Sequence, residues 1–163
     1  MADDLILFEE YDRYAVITFN RPEKLNALSS PMVLQLQQRL DECKGRHSVI
    51  VITARGKAFC AGVDLRERND WVRKGAKIRG DNVRNKWYDT MGTIIRNHPA
   101  IFIAAVNGLA VGLGFTMLGY CDFCFVGESA RLRTPFSQLG LSPDEGAGVQ
   151  AVAPGCGWVG ARW

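Results

Sequence analysis

Residues 101–122, IFIAAVNGLAVGLGFTMLGYCD, restrict the possible folds more than any other stretch of the chain. The apolar run from Ile101 to Val106 predicts a buried strand, Asn107-Gly108 a turn, and the apolar stretch from Phe115 to Tyr120 a buried helix. Gly108, Gly112 and Gly114 lie between strand and helix. A strand, a glycine-rich turn and a helix in that order gather backbone N–H groups around a helix N-terminus. Unpaired donors there suit an anion or a polarised carbonyl oxygen. The turn carries no nucleophile, acid or base, so any chemistry in it belongs to the backbone. Close packing of strand on helix would require the same glycines without any chemistry, and the stretch alone leaves both readings open. Two phosphate-binding motifs are excluded. Met117 stands where a dinucleotide fingerprint needs glycine, and no Gly-Lys-Ser or Gly-Lys-Thr occurs in the chain.

The rest of the chain supplies partners for this segment. Leu5–Glu10 and Tyr14–Asn20 read as a hairpin around Asp12-Arg13, ended by Arg21-Pro22 because proline cannot donate to a ladder. Ser29-Ser30-Pro31 opens a helix with a capping serine, and Met32, Val33, Leu36 and Leu40 form its apolar stripe up to Gly45. Ser48–Ala54 is β-branched and predicts a buried strand. Gly80–Asn97 predicts a helix with Val83, Trp87, Met91, Ile94 and Ile95 on one side. Alternating strands and helices imply an α/β domain, and 163 residues at 47% hydrophobic suffice for one core.

Charge and cysteines narrow the function classes. Residues 66–88 hold eight basic and three acidic side chains, a local +5 within a chain of net +3. Nucleic acid, a membrane surface, a phosphorylated ligand or plain solvent would each suit such a segment. No nucleic-acid recognition motif accompanies it. The acidic start, the lack of a long apolar span and five scattered cysteines (43, 60, 121, 124 and 156) predict a soluble intracellular protein with reduced thiols. Cys121-Asp-Phe-Cys124 has metal or redox spacing without a second pair, and reads as the start of a strand.

A second glycine-containing turn, Arg55 to Leu65, follows the strand at 48–54. Two such turns at neighbouring strand ends can each offer one N–H to a single oxygen, which is the arrangement of an oxyanion hole. At this point four blocks acquire a common meaning. Asn20-Arg-Pro-Glu-Lys-Leu-Asn-Ala-Leu28, Phe59-Cys-Ala-Gly-Val-Asp-Leu65, Ala105-Val-Asn-Gly-Leu-Ala-Val-Gly-Leu-Gly114 and Thr134-Pro-Phe-Ser-Gln-Leu-Gly-Leu-Ser-Pro143 resemble the signature blocks of the crotonase (enoyl-CoA hydratase/isomerase) superfamily. They occur in the family's order. The resemblance implies a spiral of ββα units over residues 1–146, with 147–163 an atypical tail in place of the family's C-terminal helices. It also implies a truncated chain, and homo-oligomers, trimers in the family.

Residue by residue, the resemblance places the oxyanion-hole donors at Val63 and Leu113. It places contacts to CoA at Lys24, Leu25, Ala27, Ala61, Asp64 and Leu65. The basic segment after residue 65 would then face CoA phosphates. The implied partner is an acyl-CoA or enoyl-CoA thioester as substrate, with no cofactor, no metal, no nucleic acid and no membrane.

Departures from the family decide which reaction is expected. Hydratases of the family carry glutamates at the positions of Thr116 and Phe136, neither of which is a base at neutral pH, and hydration needs paired carboxylates. Gly-Leu-Gly, Thr-Pro-Phe-Ser and Leu-Ser-Pro-Asp are similar to the Δ3,Δ2-enoyl-CoA isomerase branch and its non-catalytic chromatin relatives. One acid after Ser-Pro serves that branch, at Asp144 or, with a one-residue shift, at Glu145. The expectation is therefore an enoyl-CoA isomerase (3-enoyl to 2-enoyl). Its alternatives are an inactive CoA-binding or scaffold protein and, less favoured, a hydratase.

Overall fold

A computed structural model of the chain describes residues 4–67, 92, 94–135, 138 and 157–160, the last four by backbone alone. The N-terminal hairpin is β1 (Ile6–Glu10) and β2 (Tyr14–Phe19), antiparallel with Ile6 opposite Phe19. Helix α1 (Ser30–Cys43) follows, then β3 (Val49–Ala54) and β4 (Ala58–Cys60). Next come β5 (Ile101–Val106), β6 (Leu109–Val111), a short helix at Leu113–Thr116 and a 3-10 turn at Met117–Tyr120. Strands β7 (Phe123–Val126), β8 (Leu132–Arg133) and β9 (Gly157–Gly160) complete the described elements.

The strands form two sheets. One has the order β1-β2-β3-β5-β7-β9, parallel from β2 onward; the other, β4-β6-β8, is parallel throughout. Each of β3, β5 and β7 in the large sheet is followed at once by a strand of the small one. Helical residues come after β2, after β4 (65–67) and after β6. The molecule is thus the α/β spiral of ββα units that the resemblance implies. No sequence repeat announces it, because the repeat consists of directions of travel and not of residues.

Two turns therefore differ from their sequence reading. Where a glycine-containing turn was expected directly after the strands at 48–54 and 101–106, β4 and β6 are inserted, three residues each. Such strands are too short to show a period of two, and only their mutual pairing, Ala58 to Leu109 and Cys60 to Ala110, defines them. The expected buried helix at 115–120 is a four-residue helix running into a 3-10 turn. Cys121 and Cys124 are buried and, among the described residues, in no disulfide; Cys124 lies in β7 opposite Ala104. Residues 157–160 of the tail pair with β7, Phe123 opposite Gly157. Of the helix expected at 80–97, Val83, Trp87 and Met91 fall outside the described residues, while Ile95 is buried.

Alternation along the strands puts Ala15, Ile17 and Phe19 of β2, Ile50 and Ile52 of β3, and Phe102 and Ala104 of β5 in one core with Met32, Leu36 and Leu40 of α1. Each such large side chain removed from water contributes about 1.5–3 kcal/mol. On the other face Val49, Val51 and Thr53 are only half-buried, so β3 is not covered equally on both sides as its apolar run suggested. His98 ties α1 to the start of β5. Its Nδ1 accepts from Ala100 N–H (3.1 Å), leaving Nε2 to donate to Leu40 O at 2.9 Å. Among the described residues no helix is long and apolar enough to cross a membrane.

Ser29 occupies the N-cap of α1, as expected, yet its side chain makes no capping bond. The helix end is satisfied from elsewhere. Glu67 accepts from the Ser30 N–H (2.9 Å) and from the Ser30 hydroxyl. Glu67→Ala is accordingly expected to lower stability by about 1–2 kcal/mol, the cost of losing a cap, and Ser29→Ala by no more than about 0.5 kcal/mol. Urea midpoints of the two variants check the difference.

Candidate functional site

The Asn20–Leu28 block folds into a turn that the backbone does not adopt readily. After a 3-10 turn at Pro22–Lys24, Leu25 and Asn26 both sit in the left-handed region, at φ 52° and 54°. A leucine there is strained, whereas asparagine tolerates it. Hydrogen bonds hold the pair in place. Leu25 N–H donates to Pro22 O (3.0 Å) and Asn26 N–H to Arg21 O (2.9 Å). The Asn26 side chain, 0% exposed, accepts from Arg21 N–H (2.8 Å) and donates to Arg55 O (2.9 Å) and Ala58 O (2.7 Å). That amide clamps the block onto the turn between β3 and β4.

Three main-chain bonds continue the clamp into the Phe59–Leu65 block. Ala61 N–H donates to Leu25 O (3.0 Å), Leu28 N–H to Gly62 O (2.8 Å) and Asp64 N–H to Leu28 O (2.9 Å). Arg21 closes the loop with one guanidinium nitrogen, donating to Ala27 O (3.0 Å) and Asp64 Oδ2 (2.7 Å). Asp64 Oδ1 accepts from the N–H groups of Arg66 (3.0 Å) and Glu67 (3.5 Å). Burial alone would raise the Asp64 pKa. The Arg21 hydrogen bond, the two N–H bonds and the guanidinium charge outweigh it and hold the carboxyl below its ordinary value.

Glycines then bring the second turn against the third block. Gly62 has φ +88°, and a Cβ there would stand 2.8 Å from Val111 O and 3.4 Å from Leu113 N. Gly114 lies so close to Cys60 that a Cβ would enter the Cys60 carbonyl. The peptide joining Gly62 to Val63 is therefore packed against the start of the short helix. Among the described residues, neither Val63 N–H nor Leu113 N–H has a hydrogen-bond partner. Leu113 is 5% exposed. Cys60 beneath them is fully buried, and that burial pushes its thiol up to about 12.

Of the residues expected at the site, Leu25, Ala27, Ala61, Val63, Asp64 and Leu113 come together through these contacts. Lys24 lies exposed on the same turn, and Leu65 is 54% exposed beside Asp64. Asp144 and Glu145 lie outside the described residues, as do Phe136 and the basic segment beyond Glu67. Thr116 is buried, and its hydroxyl donates to Leu113 O at 3.4 Å. An open cavity of about 510 Å³ lies elsewhere, lined by Thr53, Ala105, Asn107, Phe125 and Glu128, and includes none of the expected site residues. Sequence reasoning passed over Arg21, Asn26 and Glu67 as site builders. The one available signal was an asparagine within a turn, the residue type that best accepts a left-handed backbone.

The sequence profile described as enoyl-CoA hydratase/isomerase matches residues 9–155. A Rhodobacter capsulatus protein named "Probable enoyl-CoA hydratase" is 34% identical over 146 residues, 90% of this chain and 55% of its own. The human enoyl-CoA delta isomerase 2 is 34% identical over 134 residues, covering 82% of this chain and 34% of that protein. Among solved structures, the enoyl-CoA hydratase EchA8_6 of Mycobacterium marinum superposes with a TM-score of 0.74 at 29% identity, over 89% of this chain and 66% of that one. The chain spans about half the length of the curated relatives it matches.

The Asp64 geometry has a pH signature. A carboxyl held below its ordinary value of 3.8 stabilises the fold fully above the unfolded-state range and loses that contribution as pH falls through the lower folded value. Asp64→Asn is expected to cost about 1.5–3 kcal/mol at neutral pH, the range for a hydrogen bond to a charged group. It should also flatten the acid limb of stability below about pH 4. Chemical denaturation from pH 2 to 7 measures both.

Proposed function

Because the chain belongs to the enoyl-CoA hydratase/isomerase family, we propose that it binds an enoyl-CoA thioester and shifts its double bond from the 3- to the 2-position. In this reading Val63 N–H and Leu113 N–H receive the thioester carbonyl oxygen. A carboxylate at Asp144 or Glu145 removes a proton from C2. The electron pair moves through the double bond and the carbonyl as a dienolate, and the same carboxyl returns the proton to C4. One acid suffices because it gives back what it took, and no water enters the balance.

The observation that supports this most directly is the pair of backbone donors on two adjoining turns that have no partner among the described residues, Leu113 being buried. Removing one such donor typically costs about 2.7–4 kcal/mol of transition-state stabilisation. Two fixed donors are then adequate for abstracting a proton next to a thioester. The clamped turn carrying Lys24, Leu25 and Ala27 and the neighbouring Ala61–Leu65 segment form the surface proposed to cradle CoA. Within it the Asp64 carboxylate is already engaged by Arg21 and holds the cradle together.

Hydration is less well supported. It would need a pair of carboxylates, and the Thr116 position presents a buried hydroxyl turned onto Leu113 O. A CoA-binding or scaffold role without turnover is the alternative reading, and the same test separates the two. Self-association of the kind the family resemblance implies belongs to the same proposal.

The test is to incubate the 163-residue chain with trans-3-hexenoyl-CoA and follow formation of the conjugated 2-enoyl thioester. Turnover is expected, with Asp144→Asn or Glu145→Gln, but not both, lowering kcat by about 10²–10⁴, the usual weight of a general acid–base group. Binding of the thioester without turnover would replace the isomerase by the binding module.

A further inference from the structure

Both arms of the donor pair rest on one residue, the first through its thiol and the second through its carbonyl and Cβ. Cys60 ends β4, and its Sγ accepts from Gly62 N–H at 3.4 Å. This is a side chain of residue i bonded to the N–H of residue i+2, the local turn that serine and threonine hydroxyls also make. It fixes the plane of the peptide immediately before the one that carries Val63 N–H. The same residue meets the other arm. Its carbonyl and its Cβ are the atoms that a side chain at Gly114 would strike, the Cβ at 2.8 Å. Gly114 follows Leu113 directly, so Cys60 sets how near the short helix comes to the Gly62–Val63 peptide.

We propose that Cys60 is a positioning residue for the oxyanion site, holding Val63 N–H and Leu113 N–H at a common point through its bond to Gly62 N–H and its contact with Gly114. The inference rests on the reading of those two groups as oxyanion donors. Cys60 is 0% exposed, and burial raises its thiol pKa to about 12, so it remains a neutral acceptor. Nucleophilic chemistry requires an accessible thiolate, which this site denies. A core cysteine that only filled space would be replaced equally well by alanine or serine of similar volume. A positioning cysteine would be replaced by serine alone.

The test uses 2,4-hexadienoyl-CoA, whose absorption moves to longer wavelength as its thioester carbonyl is polarised. Wild-type chain is expected to bind it with a red shift. Cys60→Ala should bind with a Kd within about threefold and lose more than half of the shift. Its kcat on 3-hexenoyl-CoA should fall about 10- to 100-fold at nearly unchanged KM, the scale of a misplaced donor. Cys60→Ser, whose hydroxyl restores the acceptor, should keep the whole shift. A full shift in Cys60→Ala, or an equal loss in Cys60→Ser, overturns the inference. If Cys60→Ala does not fold, a diminished shift in Cys60→Ser alone overturns it. Wild-type chain that binds the probe without any shift, or not at all, refutes the oxyanion reading itself and the inference with it.

Discussion

One buried amide holds the site together. The Asn26 side chain spans three main-chain groups, on Arg21, Arg55 and Ala58, from a backbone conformation that few residues accept. A buried amide left with unmet bonds is expensive, so the arrangement is nearly all-or-none. Once Asn26 is seated, the turn after β2 has one position relative to the turn after β3. The bonds from Leu25, Leu28 and Asp64 then follow as a short ladder, and Arg21 finds Asp64 within reach. The proposed CoA-facing residues are thus placed by the Asn26 amide and the Arg21 guanidinium, neither of which is among them.

Such a clamp explains why the signature blocks contain so few reactive side chains. Asn20–Leu28, Phe59–Leu65 and Ala105–Gly114 supply an amide, a guanidinium–carboxylate pair and glycines that permit close approach. All of these are devices for placing peptide groups. A site that works through backbone N–H must be specified indirectly, through what holds the backbone. Electrostatic stabilisation of this kind depends on donors already in place when charge develops, since reorganising them would consume the advantage.

Much of this was legible in the residues. The hairpin, α1, β3, β5 and the stripe on α1 follow from periodicity and turn chemistry. The close approach of two glycine turns follows from Gly62 and Gly114 standing after strands. What could not be read were features created by residues distant in the chain. β4 and β6 exist only because each is the other's partner. Glu67, inside a stretch that reads as basic, caps a helix that begins 37 positions earlier. Asp64, which the resemblance places at CoA, is engaged by Arg21 from 43 residues away. Local pattern carries information about faces and ends; it carries none about which distant group will satisfy them.

The order of the large sheet has a consequence for how the chain acquires its shape. From β2 to β9 each strand lies beside the strand that precedes it in the large sheet, so every addition finds its template already laid down. A growing spiral of this kind can be assembled in the direction of synthesis, N-terminal turns first, with no strand waiting for one not yet made. The demanding step is the junction of β3 and β5, which are adjacent in the sheet but separated by 46 intervening positions (55–100). Closing that loop costs more entropy than any other pairing in the sheet. It is also the step that brings the turn of Leu113 to the turn of Val63, so the proposed donor pair would arise only once that loop has closed.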